Sequence, residues 1–77
     1  MAKQVTVYHQ PNCPPCRSVM QFLTQKSIPF TAKDVSRDEE AQREMTKLGS
    51  QATPTIVVDG NVLVGFNPAK LMALITS

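Results

Sequence analysis

The chain has little of what many functional sites are built from. It contains two cysteines and one histidine, His9. A structural zinc takes four ligands, so Cys13, Cys16 and His9 would still need a carboxylate that no spacing motif announces. Eight Lys and Arg against six Asp and Glu leave a net charge of +2. That is too small to indicate nucleic acid or an anionic membrane as partner, and no Lys- or Arg-rich run is present. No apolar stretch approaches the roughly 20 residues that a bilayer span needs. Residues 1–7 lack the apolar core of a signal peptide, so a cytoplasmic location is expected. In a reducing compartment two cysteines do not make a disulfide scaffold, and closing a ring over so short a spacing barely constrains the unfolded chain. With 77 residues the chain is expected to form one domain over residues 1–77. A domain of this size buries only roughly 60% of its unfolded surface, which leaves little room for a second function.

What the chain does have is concentrated in His9-Gln10-Pro11-Asn12-Cys13-Pro14-Pro15-Cys16-Arg17, which holds both cysteines. Before it, Val5-Thr6-Val7-Tyr8 is β-branched and aromatic and predicts a strand over residues 4–9, ended by Pro11. After it, Val19, Met20, Phe22 and Leu23 recur at helical spacing and predict a helix from Pro14 or Pro15 to about Lys26. Proline is tolerated in the first turn of a helix and not beyond it. The residue before a proline avoids helical backbone. Cys13 is therefore expected at the N-cap, outside the helix and accessible, with Cys16 inside the first turn and more covered.

Residues 30–35 predict a second strand. Ser36-Arg37-Asp38-Glu39 has the form of a capping box with Ser36 as N-cap. The helix it opens carries Ala41, Met45 and Leu48 on one face, with Gly49 as its stop. Thr53-Pro54 precedes a third strand, Thr55-Ile56-Val57-Val58. Asp59-Gly60 is a two-residue hairpin turn, and Asn61-Val62-Leu63-Val64 pairs back as the fourth strand. Asn67 reads as the N-cap of a last helix that begins at Pro68 and buries Leu71, Leu74 and Ile75. Arg37, Asp38, Glu39, Glu40, Arg43 and Glu44 read as a solvated charged face. The order β-α-β-α-β-β-α makes an α/β fold, a four-stranded mixed sheet with three helices on its faces, because strands joined through a helix pair in parallel and a hairpin adds an antiparallel pair.

A thiolate is the nucleophile of disulfide exchange, and a helix N-terminus favours negative charge. Cys-X-X-Cys at a strand-to-helix turn thus predicts dithiol–disulfide chemistry in which Cys13 attacks and Cys16 resolves. An N-cap group accepts from the amides two and three residues on. Pro14 and Pro15 carry no amide hydrogen. The nearest donor to the Cys13 sulfur is then the N–H of Cys16, with that of Arg17 behind it. His9 reads as an ordinary strand-end residue and Tyr8 as a packed one. The Thr53-Pro54 dipeptide alone leaves both a trans and a cis proline open.

Together, Val5-Thr6-Val7-Tyr8, Pro11-Asn12-Cys13-Pro14-Pro15-Cys16, Asp34-Val35, Leu48-Gly49, Thr53-Pro54-Thr55, Val58-Asp59-Gly60 and Gly65-Phe66-Asn67-Pro68 look like a small bacterial glutaredoxin-like redoxin. Within that group the chain resembles the NrdH-redoxin type over nearly its whole length. The resemblance implies a thioredoxin fold with the active dithiol at Cys13 and Cys16. It also implies a cis peptide before Pro54, beside Cys13, with the Thr53 backbone pairing with a bound peptide or disulfide, and Gly65 and Phe66 as further substrate contacts. It implies a protein-disulfide oxidoreductase. A monomer is the default expectation for a chain with no obvious exposed apolar stripe, and no cofactor is expected. Electrons would come from thioredoxin reductase and pass to a disulfide-bearing client such as ribonucleotide reductase. Glutathione-using relatives carry a basic residue before the first cysteine and acidic residues after the glycine that follows the last strand. Here those places hold Gln10-Pro11-Asn12 and Phe66-Asn67-Pro68. The Pro-Pro between the cysteines departs from both groups. Two other readings stand beside this one: a glutathione-dependent glutaredoxin, and a metal-binding or metal-delivery module through Cys13 and Cys16.

Overall fold

The computed structural model describes residues 3–76; Met1, Ala2 and Ser77 lie outside the described residues. The elements are β1 (Val5–His9), α1 (Pro14–Gln25), β2 (Thr31–Asp34), α2 (Glu39–Lys47), β3 (Thr55–Val58), β4 (Asn61–Val64) and α3 (Pro68–Thr76). The strands lie in the order β2-β1-β3-β4. β1 runs parallel to β2 across the α1 connection and antiparallel to β3, and β3 turns back into β4. The expected mixed sheet and element order are both present.

Alternation along the two central strands divides the core. Val5 and Val7 of β1 stand beside Val58 and Ile56 of β3. They pack on one face against Val19 and Leu23 of α1 and Leu71 of α3, all buried. Each such side chain contributes about 1.5–3 kcal/mol on burial. Tyr8 points to the opposite face, where it packs with Val35 and with Ala41 and Met45 of α2. The register pairs Tyr8 with Thr55. Because β1 and β3 are antiparallel, the chain leaving β1 and the chain entering β3 meet at one end of the sheet, and that end carries the cysteines.

Two expectations about α2 are corrected. The N-cap is Asp38, not Ser36: the Asp38 carboxylate accepts from the N–H groups of Glu40 at 3.0 Å and Ala41 at 3.2 Å. Ser36 belongs to the turn before it, where Asp34 Oδ1 accepts from the Ser36 N–H at 2.9 Å and from its hydroxyl at 2.6 Å. A carboxylate that takes two amides at the positive end of the helix outcompetes a single hydroxyl. Leu48, expected on the buried stripe, is the C-cap residue and is 37% exposed. The helix stops there as expected. Gly49 takes φ +85°, its N–H donates to Thr46 C=O at 2.9 Å, and the Ser50 N–H donates to Met45 C=O at 3.2 Å. This pair of bonds is the Schellman closure that a glycine at C′ allows.

The hairpin turn forms at Asp59 and Gly60, both at positive φ, as a two-residue primed turn requires. Asn67 caps α3, its Oδ1 accepting from the Lys70 N–H at 3.1 Å. Among the described residues no helix is long and apolar enough to cross a membrane.

Candidate active site at the N-terminus of α1

Pro14 and Pro15 begin α1, and Cys13 is its N-cap, with extended backbone at φ −120° and ψ 95°. Asn12 turns the chain into that position through φ +59°, a region that asparagine tolerates better than most residues. Cys13 and Cys16 are joined as a disulfide, with Cα atoms 5.2 Å apart. The Cys16 N–H donates to Cys13 Sγ at 3.3 Å, as the two missing proline amides demand. The second expected donor is engaged elsewhere: the Arg17 N–H donates to the Cys13 carbonyl at 3.1 Å, in the first turn of the helix.

Cys16 is 1% exposed and Cys13 9%. The order of exposure is as expected, but Cys13 is more covered than an N-cap position alone suggests. The cover includes Thr53, whose carbonyl oxygen lies 3.9 Å from Cys13 Sγ and whose Oγ1 lies 3.7 Å from it. The bonded sulfur carries no hydrogen, so the Thr53 hydroxyl is the group able to donate.

The Thr53–Pro54 peptide is cis. Pro54 is buried, and its carbonyl accepts from the Gly65 N–H at 2.8 Å. Thr53, Pro54 and Gly65 are thereby drawn to the end of the sheet that carries Cys13. Phe66 is turned downward instead. Its ring meets Phe22 of α1 edge-on, centroids 5.6 Å apart, and it packs against the main core. Among the described residues the Thr53 N–H takes no hydrogen-bond partner.

The sequence model of the Glutaredoxin family matches residues 5–63. The chain belongs to the glutaredoxin family. A glutaredoxin-like 8.6 kDa protein encoded in the rubredoxin operon of Clostridium pasteurianum is 38% identical over 72 residues, covering 92% of this chain and 96% of that protein. Glutaredoxin-like protein NrdH of Lactococcus lactis is 31% identical over 70 residues, covering 91% and 97%. Among solved structures, the thioredoxin-like protein BC3987 superposes with a TM-score of 0.87 at 39% identity, over 91% of this chain and 97% of that one. The NrdH-redoxin of Escherichia coli shares the fold, with a TM-score of 0.84 at 21% identity over 92% and 93%. The thioredoxin fold implied by the sequence resemblance is the fold observed. This glutaredoxin, like its family, is a thiol-disulfide oxidoreductase with its cysteine pair at Cys13 and Cys16.

Two groups in this glutaredoxin were not legible as such in the sequence. Glu44, expected on a solvated face, accepts from the Tyr8 hydroxyl at 3.0 Å and from Lys33 Nζ at 2.7 Å. These two bonds hold the Glu44 carboxyl below the usual carboxylate range. Burial, and then the bond to Glu44, push the Tyr8 phenol up. The bond to Glu44 raises the Lys33 ammonium. The second group is a pair of buried hydroxyls, Ser50 and Thr55, whose oxygens lie 2.6 Å apart. Thr55 carried only a strand signal and Ser50 none. As for a metal, no cluster of three or more His, Cys, Asp and Glu side chains suited to one occurs among the described residues.

Proposed function

We propose that this glutaredoxin is a dithiol electron carrier reduced by thioredoxin reductase. The observation that carries the dithiol chemistry is the placement of Cys13 Sγ at the N-cap of α1, against a Thr53 whose N–H is unpaired; the choice of reductant rests on the segments flanking the site. The Cys13 thiolate attacks one sulfur of a client disulfide and expels the other as a thiolate. The Cys16 thiolate then attacks Cys13 Sγ, closes the Cys13–Cys16 disulfide and releases the client's second thiol. Two electrons have passed to the client, and the reductase returns two. Cys16, buried three residues along the first turn, is within reach of Cys13 and screened from clients.

Thr53 and Pro54 form the ledge on which a client's disulfide segment lies, Thr53 through its main chain, with Gly65 beside them and Phe66 bracing the ledge from the core side. Gln10-Pro11-Asn12 and Phe66-Asn67-Pro68 offer no charge for the carboxylates and amine of glutathione, which supports the thioredoxin-reductase route. The resemblance to NrdH-redoxins supports ribonucleotide reductase as client. A cytoplasmic setting and a single monomeric domain belong to the same proposal, on the absence of a signal-peptide core, the short chain and the lack of an obvious apolar stripe.

The deciding experiment follows NADPH oxidation with a disulfide acceptor. Thioredoxin reductase is the electron source in one arm, and glutathione with glutathione reductase in the other. Rapid turnover in the first arm and little in the second is expected. The reverse would reassign the protein as a glutathione-dependent glutaredoxin.

A further inference from the structure

We infer that Ser50 and Thr55 are positioning residues that aim the Thr53 N–H at the client. This rests on the docking role proposed above for Thr53. The two hydroxyls are buried, at 4% and 0% exposure. With their hydrogens placed on the shortest contacts, they close a ring around one exposed residue, Ala52. The Thr55 hydroxyl donates to the Ala52 carbonyl at 2.6 Å. The Ser50 hydroxyl donates to Thr55 Oγ1 at 2.6 Å. The Ala52 N–H donates to Ser50 Oγ at 3.4 Å.

The ring is more than solvation. A valine and an alanine in place of Thr55 and Ser50 would leave no buried hydroxyl needing a partner. What the ring adds is orientation. The Ala52 carbonyl and the Thr53 N–H belong to one peptide plane. That peptide is trans, since Thr53–Pro54 is the cis bond among the described residues. In a trans plane the C=O and N–H point in opposite directions. Drawing the Ala52 carbonyl inward onto Thr55 therefore turns the Thr53 N–H outward, where no group of the fold meets it. Both ends of the device are anchored. The Ser50 N–H is held by Met45 C=O at the end of α2, and Thr55 is the first residue of β3, paired with Tyr8.

A fixed N–H recognises a carbonyl, so the ligand is the main chain flanking a client's cysteine. A small disulfide without a peptide backbone does not use it. The test compares Thr55→Val and Thr55→Ser with the parent on two acceptors: insulin, a polypeptide disulfide, and an aromatic disulfide with no peptide group. Thr55→Val should raise KM for insulin about five- to tenfold, the value of roughly one hydrogen bond, with kcat and the rate on the aromatic disulfide within about twofold of the parent. Thr55→Ser, which keeps the hydroxyl, should restore the parent KM. Ser50→Ala should shift KM in the same direction by less, and carries the test where Thr55→Val does not fold. An equal loss on both acceptors, or a fall in kcat at constant KM, overturns the inference.

A second readout separates the inference from the docking role beneath it. In a Cys16→Ser protein linked by a mixed disulfide to a cysteine-containing peptide, the Thr53 amide should be protected from hydrogen exchange. It should lose that protection when Thr55→Val is added. Protection in both proteins overturns the positioning role alone. No protection in either overturns the docking role and the positioning role with it.

Discussion

Around Cys13 the prolines act through the hydrogens they omit. With Cys13 as N-cap, Pro14 is the first helical residue, Pro15 the second and Cys16 the third. Side chains at an N-cap reach the amides of the second and third positions, so of the two prolines it is Pro15 that withholds a donor from the sulfur. Pro15→Ala should restore it, and the pH midpoint of Cys13 alkylation should fall, because a hydrogen bond to the charged form favours that form. Pro14→Ala adds an N–H that does not reach the sulfur and should leave the midpoint in place. The measurement is alkylation rate against pH in a Cys16→Ser background. An unchanged midpoint in Pro15→Ala would leave the Thr53 hydroxyl as the controlling donor. The division of labour between the thiols is tested at the same scale. Cys16→Ser should accumulate a mixed disulfide with client through Cys13, visible as a mass adduct. Cys13→Ser should accumulate none and transfer no electrons. Retained activity in Cys13→Ser would reverse the assigned roles.

Among the elements, α2 depends most visibly on its ends. Asp38→Ala removes the acceptor of two amides and should destabilise the protein by about 1 kcal/mol. For a domain of this size that lowers the melting temperature by roughly 4–8 °C. Ser36→Ala, at the residue the sequence pattern nominated, should cost less, since its hydroxyl serves the turn before the helix. Gly49 gives a cleaner test of backbone strain. A Cβ there meets nothing within 4 Å, so the cost of Gly49→Ala comes from φ +85° alone, about 1 kcal/mol. Glu44 ties the far end of α2 to β1 and β2 through Tyr8 and Lys33. Its carboxyl titrates below the ordinary value of 4.5. A depressed carboxyl stabilises the fold above its unfolded pKa, and that contribution disappears as pH falls through the folded one. Tyr8 and Lys33 are raised, so their contributions hold at neutral pH and are lost as pH rises through their folded values. Melting curves of the parent and Glu44→Gln should therefore differ at neutral pH and converge in acid.

Over the whole molecule, the readable parts were those encoded locally. Proline positions and apolar spacing placed α1, the Asp59-Gly60 turn placed the hairpin, and Asn67-Pro68 placed α3. The Cys13–Cys16 pair was legible because both partners sit in one turn. Thr53 was reached only through family resemblance, since its contact with Cys13 spans 40 residues and nothing near Thr53 announces it. Glu44 and Ser50 were not seen as site or structure residues, because a charged or hydroxyl side chain acquires its partner from tertiary packing. The capping error has the same origin on a shorter scale: Ser36 carries the box pattern, with Glu39 three residues on, but its N–H and hydroxyl are drawn into the turn closed by Asp34, which leaves the cap to Asp38. Leu71 shows how little redundancy a 77-residue chain has. It is fully buried against both central strands' apolar cluster. Leu71→Ala should cost about 2–5 kcal/mol, a large share of the roughly 5–15 kcal/mol typical of a small domain. Denaturant unfolding would show it as a lower midpoint.

The pairing of β1 with β3 also sets the moment in synthesis at which the protein becomes useful. Both cysteines lie in the first quarter of the chain, whereas Thr53 and β3 lie in its last third. Chains emerge from the ribosome N-terminus first, at roughly 5–20 residues per second. For seconds the nascent chain therefore displays two thiols with neither the ledge that seats a client nor the strand that holds the ledge in place. Those thiols are open to oxidants before they are able to serve a partner. A chain stalled with β3 still in the exit tunnel should alkylate at both cysteines and reduce no protein disulfide.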